Sequence, residues 1–162
     1  MKKIAFITSG LLPMPAVKDG AIEMLLQNVI DLNEKEQKYY FDIYSIDDKT
    51  AELKSKEYKN TKFVYIKVNK FTYKVKQILL KIVRKLKLNN DPNFQSQFIK
   101  KVYKEISKKK YDNIIILSEN HFTNFFLKKG YNNIVLYLHN DKLNKNVKML
   151  NLFQKIVMKY GL

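Results

Sequence analysis

The 162-residue chain contains no cysteine, which excludes a disulfide framework and a thiolate metal site. It also lacks any apolar run near the roughly 20 residues that a membrane-spanning helix needs. The short apolar run behind Met1 contains Thr8, Ser9 and Gly10 and shows no small-residue cleavage site. This run is typical of a buried first strand rather than of a signal peptide, so we expect a cytoplasmic protein.

Glycine is scarce, with four residues in the whole chain, and its spacing matches neither of two common phosphate-binding patterns. Neither the dinucleotide fingerprint G-x-G-x-x-G nor the P-loop pattern G-x-x-x-x-G-K-[ST] is present, which argues against binding of NAD or ATP. Gly20 stands where a helix follows the first strand, a place where backbone N–H groups can meet an anion. On spacing alone, however, an ordinary loop glycine is the simpler interpretation.

Acidic residues are half as frequent as basic ones, and the net charge is +16. Residues 1–50 carry a net charge of −2, residues 51–112 carry +13 and residues 113–162 carry +5. A basic middle third indicates an anionic partner surface, either lipid headgroups or nucleic acid. A general coding bias towards lysine explains much of the same excess equally well.

Short apolar runs alternate with stretches of helical periodicity, which predicts an α/β fold: an open, mostly parallel, Rossmann-like sheet with helices on both faces. The length fits a single domain over residues 1–162. Strands are predicted at residues 3–8, 41–46, 63–68, 113–117 and 133–138. Helices are predicted at residues 20–30, 73–88, 94–107, 122–129 and 147–160.

Polar and titratable side chains follow the fourth and fifth predicted strands. These are Ser118, Glu119, Asn120 and His121, and then His139, Asn140 and Asp141. Ligands of open parallel sheets bind at the carboxyl ends of the strands, so these groups mark the expected crevice. His139 is the stronger candidate because it directly follows an apolar strand, whereas His121 is interpreted as a helix-start residue without a role. The spacing of these groups does not support a metal site, and we expect neither metal nor cofactor.

Three segments resemble family 4 glycosyltransferases, which have the GT-B fold. The run from Pro13 to Glu23 looks like their glycine-rich loop and first helix, where many members carry Gly-Gly-x-x-Glu. Residues 115–120 and 136–141 are similar to two further strand ends of that family's N-terminal domain. The resemblance spans about residues 3–150. One departure is Asp19, which stands where the first glycine of the pair is usual.

The resemblance implies a retaining transfer of sugar from a nucleotide-sugar donor to a bacterial surface polysaccharide or a lipid-linked precursor. It implies that Gly20 lies against the donor diphosphate and that His139 is the catalytic residue hydrogen-bonded to the transferred sugar. Glu119 and Asn120 would line the crevice near the acceptor. Asn140 and Asp141 would complete the substrate-binding set.

In that family a C-terminal domain supplies most of the nucleotide contacts, and this chain stops at Leu162. We therefore expect the N-terminal, acceptor-side domain without its C-terminal nucleotide-sugar domain, inactive as an isolated chain. Its partner would be that missing domain or a separate catalytic chain. The alternative is a non-catalytic, membrane-associated or partner-binding module of a split glycosyltransferase.

The predicted helix at 73–88 is strongly basic and amphipathic. Lys74, Lys81, Arg84 and Lys85 lie in it and are the predicted membrane-binding residues. Such a helix can lie on anionic lipid, since each cation near the surface contributes about 1 kcal/mol. An ordinary surface helix explains the pattern equally well. No nucleic-acid reader motif is present, so we expect a peripheral protein on the inner face of the cell membrane and no nucleic-acid partner.

Overall fold

The computed structural model describes residues 1–68 and 94–138, and within them five strands form one sheet. Every neighbouring pair of strands is parallel, in the order β3-β2-β1-β4-β5. The predicted open, parallel, Rossmann-like α/β sheet is thereby confirmed. The strands are β1 Lys2–Ile7, β2 Tyr39–Ile46, β3 Thr61–Ile66, β4 Asn113–Leu117 and β5 Ile134–Tyr137.

Helices connect these strands. They are α1 Ala21–Glu36, α2 Lys49–Lys54 with a 3₁₀ turn at Ser55–Glu57, α3 Phe94–Ile106 and α4 Asn120–Leu127. The helices predicted at 73–88 and 147–160 lie outside the described residues.

Helix α1 continues beyond its predicted end at residue 30 because a polar residue of its last turn is tied to the next strand. The Asn33 side chain donates to the Tyr39 carbonyl at 2.9 Å and accepts from the Tyr39 N–H at 3.0 Å. The helix then stops at Gln37, which has a left-handed φ of 54°. A buried side chain that satisfies two backbone groups of the following turn thus extends the helix to the start of β2.

The sheet is covered on both faces. Helix α1 packs on one face together with Met14 of the preceding loop, and α3 and α4 pack on the other. The first face buries Ile4, Phe6, Met14, Leu26, Ile30, Phe41, Ile43 and Leu117. The second face buries Ala5, Ile7, Tyr44, Phe98, Val102, Ile106, Ile114, Ile116, Phe122 and Phe126. The apolar core on each face stops at the two rims of the sheet. Polar side chains lie at the carboxyl rim, where the parallel strands end, and at the amino rim, where they begin.

Candidate functional site

The connections from β1 lead to strands on one side of the sheet first and then, at β4, to the other side. This change of direction marks the place at the carboxyl rim where open α/β sheets form a ligand crevice. Strands β2 and β3 lie on one side of β1, whereas β4 and β5 lie on the other. Ile7 of β1 pairs with Ile116 of β4, so both strands end at the same level. The chain leaves β1 towards α1 and leaves β4 towards α4, on opposite faces of the sheet. Such a switch point is where open α/β sheets bind ligands; we call residues 8–20 and 118–121 the switch-point crevice.

The first side of the crevice begins with a tight turn after β1. The Thr8 N–H and hydroxyl both donate to the Tyr44 carbonyl at 3.1 Å, and the Gly10 N–H donates to Thr8 Oγ1 at 3.3 Å. Gly10 has φ +74°, and a Cβ there would lie 2.8 Å from the ring of Phe98. The turn therefore requires glycine for two reasons: its backbone conformation and its contact with α3.

The loop from Gly10 to Gly20 is held by hydrogen bonds to the elements below it. The Met14 N–H donates to Ser45 Oγ at 2.7 Å, and the Ala16 N–H donates to Gln27 Oε1 at 2.9 Å. Lys18 pairs with Asp48 at 2.7 Å. These contacts join the loop to β2, to α1 and to the start of α2, so its backbone is fixed against the sheet.

Gly20 is the N-cap of α1, with an extended backbone and no side-chain cap. A Cβ at this position would meet the Glu23 carboxylate and would lie 2.6 Å from Leu12 Cδ1. Glu23 is 5% exposed, and Asp19, beside Gly20, is exposed. An anion approaching the N-terminus of α1 gains from the helix dipole but meets two carboxylates, which makes this position less favourable to a diphosphate than its glycine alone indicates.

The second side of the crevice is the turn from β4 into α4. Ser118 donates its N–H to the Tyr137 carbonyl at 2.7 Å and has φ +60°, a conformation that is uncommon for any residue except glycine. Its buried Oγ has no hydrogen-bond partner within the described residues. Unpaired buried polar atoms and left-handed backbone both concentrate at functional sites.

Glu119 and His121 form a pair that the sequence analysis did not predict. Glu119 Oε2 lies 3.2 Å from His121 Nδ1, and the two side chains are 18% and 43% exposed. The His121 ring packs edge-on against Phe122, with ring centroids 4.5 Å apart. The prediction for His121, a helix-start residue without a role, did not include this contact. The contact is possible because Glu119 and His121 are two positions apart at the start of a helix. The carboxylate–imidazole pair can accept from and donate to a hydroxyl group.

A chain of aromatic contacts joins the two sides of the crevice. Gly10 lies against the Phe98 ring, and Phe98 lies 6.1 Å from Phe122, which in turn contacts His121. The segments that follow β1 and β4 therefore share one buried support. A ligand held between them would contact both.

Several predicted site residues lie outside the described residues. These are His139, Asn140 and Asp141 and the predicted membrane-binding residues Lys74, Lys81, Arg84 and Lys85. Asn120 is described only as the first residue of α4. Strand β5 pairs with β4 through Leu117 and Tyr137 and ends at the same rim. The end of β5 therefore lies at the same rim as the ends of β1 and β4.

A second polar cluster, which the sequence analysis also did not predict, lies at the amino rim around Asp42. Its Oδ2 accepts from Lys109 at 2.6 Å and from the Tyr111 hydroxyl at 2.5 Å, and Lys3 Nζ lies 3.7 Å away. Tyr44 and Tyr111 share a hydroxyl–hydroxyl hydrogen bond of 2.7 Å. The one sequence feature that could have indicated this cluster is an aspartate inside an apolar strand. Its hydrogen-bond donors, Lys109 and Tyr111, stand 67 and 69 residues further along the chain.

The pKa values in this cluster differ from the ordinary ones for clear reasons. Burial alone would raise the pKa of the Asp42 carboxyl, but hydrogen bonds from Lys109 and Tyr111 and the charges of Lys109 and Lys3 bring it below its ordinary value. Burial, with the nearby charge of Asp42, raises the pKa of Tyr44 to about 12. The pKa of Tyr111 is also raised, by burial and by its hydrogen bond to Asp42. The cluster is therefore an ionised carboxylate held by neutral phenols and lysine ammonium groups.

The described residues contain neither a group of candidate metal ligands nor a candidate membrane-spanning helix. No three His, Asp or Glu side chains there are grouped as ligands for a metal ion. None of the helices among them combines the length and the apolar character that crossing a bilayer requires. Comparison of the chain with protein-family models, with curated proteins and with solved structures finds no match.

Proposed function

We propose that this chain is the N-terminal, acceptor-side domain of a retaining glycosyltransferase of the GT-B type. The donor is a nucleotide sugar, and the acceptor is a bacterial surface polysaccharide or its lipid-linked precursor. The resemblance of three segments to family 4 glycosyltransferases is the basis for naming this reaction. The single structural observation that supports it is that the segments after β1 and β4 leave the same rim of the sheet and share the neighbouring rings of Phe98 and Phe122 as support.

The proposed roles divide between the two sides of the crevice. Glu119, oriented by His121 at 3.2 Å, accepts from a hydroxyl of the acceptor, and Asn120, the next residue in the chain, is proposed to share in acceptor binding. His139 contacts the transferred sugar, with Asn140 and Asp141 completing the substrate-binding set. The backbone at Gly20 approaches the donor, with Glu23 and Asp19 limiting how closely a diphosphate binds there.

The proposal places most of the diphosphate contacts in a second, nucleotide-binding domain. Catalysis requires interactions that are stronger in the transition state than in the ground state, and for a sugar leaving a diphosphate these are interactions with the departing phosphates. In this chain the first turn of α1 carries a buried carboxylate next to Gly20. The isolated chain should therefore bind an acceptor without transferring sugar to it at a useful rate.

The test is a transfer assay with radiolabelled UDP-, GDP- and ADP-sugars and bacterial lipid-linked precursors. It is carried out with this chain alone and with the chain joined to the nucleotide-binding domain. We expect product only with both domains present, with the anomeric configuration of the donor retained. Inversion of configuration, equal transfer by the chain alone, or no transfer from any donor would contradict the proposal.

The alternative is a non-catalytic module that associates with membranes or with a separate catalytic chain. The charge distribution favours it, since residues 51–112 carry a net charge of +13. Both proposals place the chain in the cytoplasm, peripheral to the inner face of the membrane.

Membrane association gives a prediction of its own. Replacing Lys81, Arg84 and Lys85 with glutamate should abolish flotation with anionic vesicles, because three cations become anions where each cation contributes about 1 kcal/mol. The matched control replaces Lys35, Lys49 and Lys56, which are exposed elsewhere on the molecule, and should retain most of the flotation. Equal flotation of the wild-type chain with neutral and anionic vesicles would remove the membrane claim.

A further inference from the structure

A second pocket opens at the amino rim of the sheet, on the side opposite the switch-point crevice. It has a volume of about 420 Å³ and lies between the starts of β1, β2 and β3. Lys3, Tyr40, Asp42, Lys59 and Lys62 contribute to its lining. This volume falls in the range of small-molecule sites, and none of the proposed glycosyltransferase roles uses these residues.

The carboxylate of Asp42 presents one unused acceptor to this pocket. Within the described part of the chain, its hydrogen bonds from Lys109 and Tyr111 and its close approach by Lys3 all involve Oδ2, and no donor reaches Oδ1. The Asp42 residue is 4% exposed, but Oδ1 is not among the fully buried polar atoms that lack a partner. Oδ1 is therefore open to solvent and can accept a hydrogen bond from a ligand.

The donor that suits Asp42 is a neutral one. Lys109 already lies 2.6 Å from the carboxylate and Lys3 lies 3.7 Å away. A ligand ammonium group would therefore be repelled by Lys109 and Lys3, and it would have to share the single Asp42 carboxylate with them. A hydroxyl group donates a hydrogen bond without that repulsion.

The mouth of the pocket is positively charged. Lys59 and Lys62 are exposed, and no described carboxylate forms an ion pair with either of them. The nearest candidate, Glu34, is already engaged: it accepts from the backbone N–H of Lys59 at 2.8 Å and of Asn60 at 3.0 Å, and from the Thr61 hydroxyl at 2.8 Å. Because Lys59 and Lys62 line the same pocket as Lys3, the pocket suits a dianion better than a monoanion.

We propose that this pocket binds a phosphorylated polyol of about three to six carbons. The phosphate lies between Lys59 and Lys62, one hydroxyl donates to Asp42 Oδ1, and the carbon chain lies along the half-exposed ring of Tyr40. The chemistry is shared by a soluble phosphate ester and by a phosphoglycerol lipid headgroup. The proposal does not depend on the glycosyltransferase assignment, because it uses the opposite rim of the sheet.

Calorimetric titration of the full chain with glycerol 3-phosphate tests the phosphate contacts. The double variant Lys59→Gln and Lys62→Gln should weaken binding by about tenfold or more, since the loss of even one charge-assisted hydrogen bond costs about a factor of ten. The matched control, Lys49→Gln with Lys56→Gln, removes the same charge from exposed positions outside the pocket and should leave the dissociation constant within about twofold. Equal weakening by both double variants, or no binding by the wild-type chain, would overturn the proposal.

Comparison of ligands tests the contact with Asp42 without altering the fold. Glycerol 3-phosphate should bind the wild-type chain about fivefold or more tightly than inorganic phosphate, because the additional hydrogen bond from its hydroxyl to the Asp42 carboxylate contributes at least about 1 kcal/mol. Equal binding of the two ligands would overturn the proposal. Flotation with phosphatidylglycerol vesicles identifies the source of the ligand. If the Lys59→Gln and Lys62→Gln changes reduce flotation of the chain, the ligand is a lipid headgroup. If they weaken only the binding of glycerol 3-phosphate, the ligand is a soluble metabolite.

Discussion

Replacing Asp42 with alanine should lower the free energy of unfolding by about 3 kcal/mol at pH 7, since removing one member of a buried charged network leaves its partners unpaired. The Asp42 side chain is 6% exposed and is held by Lys109 and Tyr111. Lys109 is 28% exposed and can turn towards water, which keeps the expected loss at the lower end of the range for buried pairs. Tyr111 retains only its hydrogen bond to Tyr44. Chemical denaturation monitored by circular dichroism measures this loss.

The Asp42 effect should depend on pH with a definite sign. Its pKa is lowered in the folded chain from an ordinary value of 3.8, so its contribution is fully present above that value. The contribution disappears as the pH falls through the lowered folded value. The difference between the wild type and Asp42→Ala should therefore narrow only below about pH 4. Asp19→Ala, at an exposed position, is the matched control and should change stability by less than about 0.5 kcal/mol. A variant as stable as this control, or a difference undiminished in acid, would contradict the structure at the amino rim.

Replacing Gly10 with alanine should cost about 3 kcal/mol and lower the melting temperature by roughly 6–12 °C. Two effects add. The φ of +74° is unfavourable for any residue with a Cβ, and the new Cβ would lie 2.8 Å from two ring atoms of Phe98. Phe98 is fully buried and cannot move away without disturbing α3.

Gly130→Ala separates these two effects. Gly130 has a similar φ of +84°, but a Cβ there meets nothing within 4 Å. Gly130→Ala should therefore lower the free energy of unfolding only by the backbone contribution of about 1–2 kcal/mol. The difference between the two variants in thermal unfolding measures the contact between the β1 turn and α3. Equal losses in both would show that Phe98 does not support this side of the crevice.

The strands of the sheet were predictable because the apolar pattern that indicates each strand lies within the strand itself. Runs such as residues 113–117 are apolar throughout, as expected for strands buried on both faces, and β4 was predicted with the observed ends. Where the observed end of a helix or strand differs from the predicted end, contacts with side chains distant in the sequence cause the difference. Strand β3 begins at Thr61 rather than at residue 63 because Thr61 pairs with Phe41 and is hydrogen-bonded to Glu34 of α1. No pattern within β3 itself contains that information.

The candidate site was predictable to a smaller extent. Glu119 was located from its position after an apolar strand, and the parallel sheet does bring the segments after β1 and β4 to one rim. The pair of Glu119 with His121 depends on the left-handed turn at Ser118, a conformation that the residue type does not predict. The Asp42 cluster depends on hydrogen bonds from Lys109 and Tyr111, which stand 67 and 69 residues further along the chain, and a single sequence does not show such contacts.

We propose that sugar transfer takes place at the carboxyl rim of the sheet, where β1, β4 and β5 end. The turnover number kcat, measured with the chain joined to a nucleotide-binding domain, tests this proposal most directly. His139→Ala should lower kcat by about 100-fold, the effect of removing one hydrogen-bond donor from a developing charge. Glu119→Gln should raise the KM for the acceptor, whereas the exposed control Lys56→Gln should change neither value. Wild-type kcat and KM in both the His139 and the Glu119 variants, with the fold intact by circular dichroism, would contradict the claim.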